Sequence, residues 1–276
     1  SVGNYDAIII PQSQFEKMPL SLARQEAMYD DKLTEITNAI NLAKAEKGER
    51  FTVKALERQR KSITQKIEKM RAAFKKDDFI TFEELGCDFL FVDEAHNYKN
   101  LAVFSKMNNV AGVNANQNSQ KSFDIEMKCR YLQELNHGGG VVFATGTPIS
   151  NSITELFVWQ YLLQKQTLDD MNISYFDNWA SVYGVVTQSI EVKPSGDGFR
   201  PRTRFSNFVN LNELCNLFGE VFDIAKTADM NLNLPAIKGG KPEMIICEKS
   251  PEQELQTDEG IERARNRSEN GSAGRG

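Results

Sequence analysis

The sequence predicts an α/β chain built on a parallel sheet, and three stretches predict it. Phe89 to Val92, within FLFVDEAHNYKN, is a short apolar run that stops abruptly at Asp93, Glu94 and His96. Val141 to Ala144, within GGGVVFATGTPISNS, is a second such run and stops at Thr145, Gly146, Thr147 and Pro148. Between them, Ser122 to Leu135 has the period of an amphipathic helix that carries the chain from one strand to the next, which is the βαβ pattern. Apolar runs without alternation read as strands buried on both faces. Polar residues at the carboxyl ends of such strands stand where open α/β sheets build ligand sites. The chemistry an acid pair supports there is phosphoryl transfer, with Asp93 holding Mg²⁺ through its water shell and Glu94 orienting or deprotonating the attacking water. An acidic pair on a solvated loop is the alternative reading of the same dipeptide.

With 276 residues the chain has room for one large or two modest domains, and 40% hydrophobic residues supply a core. A net charge of -5 excludes a globally basic nucleic-acid coat and leaves a local basic face open. Cys87, Cys129, Cys215 and Cys247 stand far apart, with no C-x-x-C pair and only His96 and His137 to join them. That spacing predicts free reduced thiols rather than a zinc site. No apolar run approaches the ~18 residues of a membrane span, and no basic region followed by an apolar stretch opens the chain. A cytoplasmic protein is expected.

Tyr5 to Ile10 reads as a strand, followed by the turn Pro11-Gln12-Ser13-Gln14-Phe15. Residues 21 to 78 are highly charged, free of proline and helical in period. Tyr29, Leu33, Ile36, Ile40 and Ala43 recur at helical spacing, and Leu56, Ile63, Ile67, Met70 and Phe74 do so again after Gly48 and a Thr52 N-cap. The pattern predicts an antiparallel hairpin projecting as a coiled-coil-like arm. Its second helix carries Lys54, Arg58, Arg60, Lys61, Lys66, Lys69, Arg71, Lys75 and Lys76 against Glu57 and Glu68. This face is either an ordinary solvated surface or a contact for DNA phosphates or a partner, through residues such as Lys61, Lys66 and Lys69. Val103 to Ser119, rich in Asn, Gln, Gly and Ser, is expected to be a mobile loop near the acids. Ser152 to Lys165 reads as a helix whose Leu156, Trp159, Leu162 and Leu163 belong to a core rather than a base-stacking platform. Ser174 to Tyr183 and Leu211 to Lys226 add helices, separated by a Gly/Pro-punctuated stretch at Lys193 to Pro201. From about Gln253 the chain turns polar and charged, and a disordered tail is expected.

Together DEAH at Asp93 to His96 and TGTP at Thr145 to Pro148 resemble motifs II and III of superfamily-two helicases and translocases. Lys99-Asn100 after the first motif, and Ile149-Ser150-Asn151 with Glu155-Leu156-Phe157 after the second, narrow the resemblance to the Swi/Snf-like branch. Leu234-Pro235 and Lys241 to Gln253 look like that branch's link into a second motor domain. The whole chain is similar to the helicase portion of large phage and conjugative-element proteins that also carry an adenine-specific DNA methyltransferase. No NPPY-type tetrapeptide occurs here, so methyltransferase activity is not carried over.

The resemblance implies a partial RecA-like motor domain in which Asp93 positions Mg²⁺, Glu94 activates water, and His96 with Thr145, Gly146 and Thr147 relays nucleotide state to DNA. Ser13 and Gln14 then occupy the place of motif Ib, near a nucleic-acid backbone, unless that segment is an ordinary polar turn. A phosphate loop, G-x-x-x-x-G-K-[ST], is absent from the sequence; Gly138 to Gly140 and Gly239-Gly240 read as turns. The expected organisation is the start of the motor at 1–20, a helical-hairpin insertion at 21–78, the motor core at 79–166, a helical extension and link toward a missing second motor domain at 167–250, and a disordered tail at 251–276. The expected function is that of a fragment of an ATP-dependent DNA helicase or translocase, inactive alone. The alternative is a non-enzymatic DNA- or protein-binding module that uses the basic hairpin.

Overall fold

The computed structural model describes residues 5–45, 50–74, 80–105, 107, 110–113, 119–150, 152–192, 198–226, 235, 238–240 and 243–272. In chain order the elements are α1 (Gln12–Phe15), α2 (Leu22–Ala45), α3 (Arg50–Phe74), β1 (Leu90–Val92), α4 (Gln120–Leu135), β2 (Val141–Phe143), α5 (Thr154–Leu163), α6 (Lys165–Asp170), α7 (Phe176–Tyr183), β3 (Gly184–Val192), β4 (Phe199–Phe208), α8 (Leu211–Gly219) and α9 (Pro251–Ser272). They fall into two compact units, Ser1–Thr187 with Arg204–Val221, and Gln188–Thr203 with Phe222–Gly276.

The first unit is a mixed helix-and-sheet fold around a small parallel sheet, as the α/β expectation requires. β1 and β2 pair Leu90 with Val141, Phe91 with Val142 and Val92 with Phe143. Helix α4 joins them; its N-cap Ser119 accepts a hydrogen bond from the Ser122 N–H, satisfying one of the donors a helix start leaves open. The strands are not buried on both faces as their composition predicts. Phe89, Phe91 and Val142 are exposed, and the Phe89 and Phe91 rings pack on each other at 5.0 Å. Tyr5 to Ile10 is irregular rather than a strand, with Ile9 fully exposed. A strand needs a ladder partner, and among the described residues β1 and β2 pair only with each other in their sheet.

The hairpin forms, and its seam contains Tyr29, Ile36, Ile40, Leu56, Ile63 and Ile67, all buried. It does not project as an arm. Helix α2 also lies against the core: Tyr29 packs on Phe123 of α4 at 4.7 Å, Arg24 pairs with Glu134 at 2.7 Å, and Phe104 packs on the Ile36, Ile40 and Leu56 cluster. Leu33 is only half-buried, while its neighbour Lys32 is buried. Thr52 lies inside α3 rather than capping it; Gly48, Lys75 and Lys76, and the side chains of Ala43 and Phe74, lie outside the described residues.

A second core gathers Phe157, Phe176, Trp179, Tyr183, Phe205 and Phe208, whose rings meet at 5.5 to 6.4 Å. The Trp179 indole donates to Gln160 at 2.7 Å, so its polar edge is satisfied inside the core. Phe205 reaches this cluster because Gly184 has no Cβ; one there would overlap the Phe205 ring. The described part of the loop after the acids is fastened here too: Ala111 O accepts from Phe205 N, and Gly112 O from Ile153 N.

Strands β3 and β4 form a hairpin where the sequence showed only turn signals. In the second unit Ser189 donates to the Arg202 carbonyl and Glu191 pairs with Arg202 at 3.5 Å. The expected disordered tail is corrected as well: Pro251–Ser272 is helical, with Ser250 bonding the Gln253 N–H at its start. Its described side chains are almost all exposed, so local capping and helix propensity hold it rather than burial. Among the described residues no helix is long and apolar enough to cross a membrane, and all four cysteines are free thiols.

Candidate functional site

The site begins where the β1 ladder changes step. Leu90 N–H bonds the Gly140 carbonyl and Ala144 N–H bonds the Val92 carbonyl, each at 2.9 Å. A regular parallel ladder advances by two residues, which brings the Glu94 N–H to the Ala144 carbonyl. Ala95 makes that bond instead, at 2.9 Å, and Glu94 is an extra residue in the left-handed region at φ 51, ψ 43. Its N–H is taken by Asp93 Oδ1 at 2.9 Å. A non-glycine residue held this way costs about 1–3 kcal/mol, and such strain collects at functional sites. An extra residue at a strand end also re-aims a side chain. Asp93 and Glu94 are exposed, while Ala95 and Tyr98 on either side of His96 are fully buried and fix the loop.

The second loop is joined to the first through His96. Its Nδ1 lies 3.2 Å from Thr145 Oγ1 and 3.1 Å from Glu94 Oε2. A carboxylate only accepts and a hydroxyl can accept, so a ring carrying its proton on Nδ1 satisfies both. Thr145 Oγ1 also accepts the Thr147 N–H at 3.1 Å. Gly146 is exposed, and a Cβ on it meets open space, so packing does not demand a glycine there.

Lys99 fixes the far side of the threonine loop. It is 7% exposed and lies 3.2 Å from the carboxylate of Glu155, itself 4% exposed. It donates to Ser150 Oγ at 2.6 Å and to the Thr147 carbonyl at 3.4 Å, while Glu155 accepts the Ser150 N–H at 2.7 Å. The dipeptide Lys99-Asn100 and the Glu155-Leu156 pair, far apart in sequence, thus meet under one loop. Asn151, between them, lies outside the described residues.

A family model described as "Probable helicase domain" matches residues 1–226. The chain belongs to this helicase-domain family. It is also 25% identical over 223 residues to "Defense against restriction protein B" of Escherichia phage P1, a match covering 78% of this chain and 9% of that protein. The chain therefore corresponds to a small part of that relative's length. No solved structure matches it.

Within this helicase-domain chain, Asp93, Glu94, His96, Thr145, Gly146 and Thr147 come together as one pair of adjoining loops. Ser13 and Gln14 are exposed on α1, which adjoins the acid loop. Lys61, Lys66 and Lys69 stand on the separate helix α3, with Lys61 and Lys69 exposed and Lys66 half-buried; desolvation lowers the Lys66 pKa from its ordinary value. Sequence reasoning missed Gln12. Its amide donates to the Asp93 carbonyl at 2.7 Å, and its carbonyl oxygen accepts from Asn97 Nδ2 at 3.1 Å. The only signal available was a polar residue directly before Ser13, which no periodicity singles out.

Proposed function

We propose that the chain is part of an ATP-dependent DNA helicase or translocase of the Swi/Snf-like superfamily-two type, with a RecA-like core. The observation that carries this reading is the His96 to Thr145 contact, which joins an acid loop and a threonine loop at the carboxyl ends of two parallel strands. ATP is the substrate class. Asp93 is the residue for Mg²⁺: among the described residues no group of three or more His, Cys, Asp or Glu gathers into a protein cage. A single exposed carboxylate fits this ion, which keeps several waters and takes its other ligands from substrate phosphates. When bound, Mg²⁺ neutralises charge developing on the transferred phosphoryl group. Glu94 orients the attacking water and accepts its proton, and His96 holds the Glu94 carboxylate in register with Thr145. DNA is the proposed partner, at Ser13 and Gln14 and along α3. The family match and the phage relative support a helicase in a mobile-element setting.

The test is DNA-stimulated phosphate release from Mg-ATP by the complete gene product, beside its Glu94→Gln form. Loss of the general base is expected to lower turnover by about 10² to 10⁴-fold, and equal turnover in the two proteins overturns the role of Glu94. The 276-residue chain alone, whose sequence holds no phosphate-loop motif, is expected to release phosphate at background rate in both forms. A second reading, a non-enzymatic DNA- or protein-binding module, is favoured by one observation. Lys54, Arg58, Lys61 and Lys69 are all exposed at helical spacing on α3.

A further inference from the structure

The acid loop is held from a third side, and that hold leads to a different surface. Gln12 carries an amide donor group and a carbonyl acceptor, and the acid loop engages each of them: the amide nitrogen donates to the Asp93 carbonyl and the side-chain oxygen accepts from the Asn97 amide. The two anchor points bracket Glu94, the residue in the left-handed conformation. On its other side, Gln12 begins the four-residue helix α1, whose Gln14 and Phe15 N–H groups both bond the Pro11 carbonyl, at 2.9 and 3.0 Å. The end of α1 is fixed in the core. Phe15 is 8% exposed and meets Phe82 edge-on at 5.8 Å. The buried Lys128 donates to the Phe15 carbonyl at 2.8 Å and lies 4.0 Å over its ring. Ser13 and Gln14 are therefore suspended between a rigid point at Phe15 and a point, Gln12, that follows the main chain of Asp93.

We propose that Gln12 is a positioning residue that couples the acid loop to the Ser13–Gln14 surface, by a route independent of Thr145 and Thr147. A shift of the Asp93 carbonyl by a nucleotide pulls or releases Gln12, and the exposed pair on α1 moves with it. This deepens the proposed function and rests on it for the identity of the two ends, the nucleotide at the acids and nucleic-acid phosphates at Ser13 and Gln14. The bonds themselves do not depend on that reading.

The experiment is residue-resolved amide hydrogen exchange on the 276-residue chain, comparing wild type with Gln12→Met, Asn97→Ala and the double variant. Methionine keeps the length of the side chain and removes both bonds. The reporters are Gln14 and Phe15 on one side and Ala95 and Asn97 on the other, whose N–H groups are bonded to Pro11, Ala144 and Glu94. In Gln12→Met, exchange is expected to rise about 3- to 10-fold at both sets together, the range for losing one or two hydrogen bonds, while α4 and α5 keep wild-type protection. Asn97→Ala is expected to raise exchange at Gln14 and Phe15 in the wild-type background and to add nothing in the Gln12→Met background. Gln14 and Phe15 unchanged in Gln12→Met, or additive effects in the double variant, overturn the coupling. Loss of protection across α4 as well overturns it too, because the residue is then general scaffold. In parallel, binding of a fluorescent duplex DNA is measured with wild type and Ser13→Glu/Gln14→Glu. Equal affinities there count against the nucleic-acid reading of this surface, and leave the exchange result to decide the role of Gln12.

Discussion

Two sets of lysines occupy this chain, and their difference shows what holds it together. Lys32, Lys99 and Lys128 are buried, whereas Lys54, Lys61 and Lys69 are exposed on α3. Each buried ammonium has a carboxylate within 3.2 Å: Glu126 for Lys32 and Glu155 for Lys99, both from distant parts of the chain, and Asp124 for Lys128, one turn earlier on the same helix. The company differs in strength. Burial pushes the Lys32 pKa down, but Glu126, Tyr161 and Glu35 more than reverse this and leave it well above its ordinary value. At Lys128 burial again pushes down, Asp124 opposes only in part, and the pKa stays lowered. A buried lysine keeps its charge best where helix packing adds distant acceptors, as Glu126 and Tyr161 do at Lys32, and less well where its paired carboxylate comes from the preceding turn of its own helix, as at Lys128.

Breaking the strongest convergence should have the largest effect. Lys32 lies 3.0 Å from Glu126, which is 1% exposed, and donates to the Tyr161 hydroxyl at 2.8 Å. Lys32→Met leaves Glu126 without its nearest cation in the core, and a loss of about 3–5 kcal/mol is expected, read by urea denaturation. Adding Glu126→Leu should recover most of it, because a buried pair replaced by apolar residues of similar volume is often neutral. No recovery in the double variant would show that the hairpin needs this pair for its docking geometry.

Lys99 is the next test, and it separates stability from site geometry. Lys99→Met should destabilise by about 3 kcal/mol, the low end for breaking a buried pair, since the exposed loop from Thr147 to Ser150 can admit water to Glu155. Lys99→Met/Glu155→Leu should restore the unfolding midpoint and still leave the Ser150 amide exchanging faster than in wild type, because its acceptor is Glu155. Wild-type exchange at Ser150 in that double variant would mean that other contacts hold the threonine loop.

The same contrast explains what was legible in the sequence. The acids and threonines were legible because they end apolar runs, and the end of a strand is a local event. Hairpin periodicity was equally local, so both helices and most of the seam could be read. Docking of the hairpin on the core was not, since it depends on Lys32 meeting Glu126 and Tyr161, residues more than ninety positions away. The β3 and β4 pairing was hidden for a related reason: the alternation in Phe199–Phe208 is carried by few apolar residues and interrupted by Pro201, beside a Gly- and Pro-containing stretch that reads as a turn, and burial of Phe205 beside Gly184 is visible only in three dimensions. The left-handed Glu94 was not legible either, because the ladder bond from Ala95 creates it and nothing in the dipeptide does.

A smaller effect is expected at the third buried lysine, and it depends on pH. Burial raises the Asp124 carboxyl from 3.8 to about 6, with Lys128 opposing and Glu16 adding to the rise. The folded state therefore holds a proton on Asp124 between those values that the unfolded state has released. Stability should rise as pH falls from about 7 toward 4 on this account, by about 2 kcal/mol from this group. Asp124→Asn should flatten that part of the profile, measured as unfolding free energy against pH beside wild type. A wild-type profile that falls over the same window, unaltered by the substitution, would mean that other carboxylates dominate it.

The exposed lysines should affect folding least and binding most. Lys61 and Lys69 face solvent, Lys66 is half-buried, and the neighbouring Glu57 is already paired with Lys44 at 3.1 Å. From Lys54 to Lys69 the exposed stripe runs about 22 Å along α3 at ~1.5 Å per residue, long enough to follow several phosphates of a duplex. Each phosphate neutralised contributes about -0.9 to the slope of log affinity against log salt. Lys61→Glu/Lys69→Glu should therefore make the slope for duplex DNA shallower by about two such steps, roughly 1.8. The unfolding midpoint should stay where it is, since neither side chain fills the core. Lys66→Glu should do the reverse, because it puts a carboxylate where a desolvated ammonium now sits: it should lower the midpoint and change the salt slope less than the exposed pair. Equal salt slopes for wild type and Lys61→Glu/Lys69→Glu would return the stripe to an ordinary solvated face, and would place any DNA contact of this chain at the loops instead.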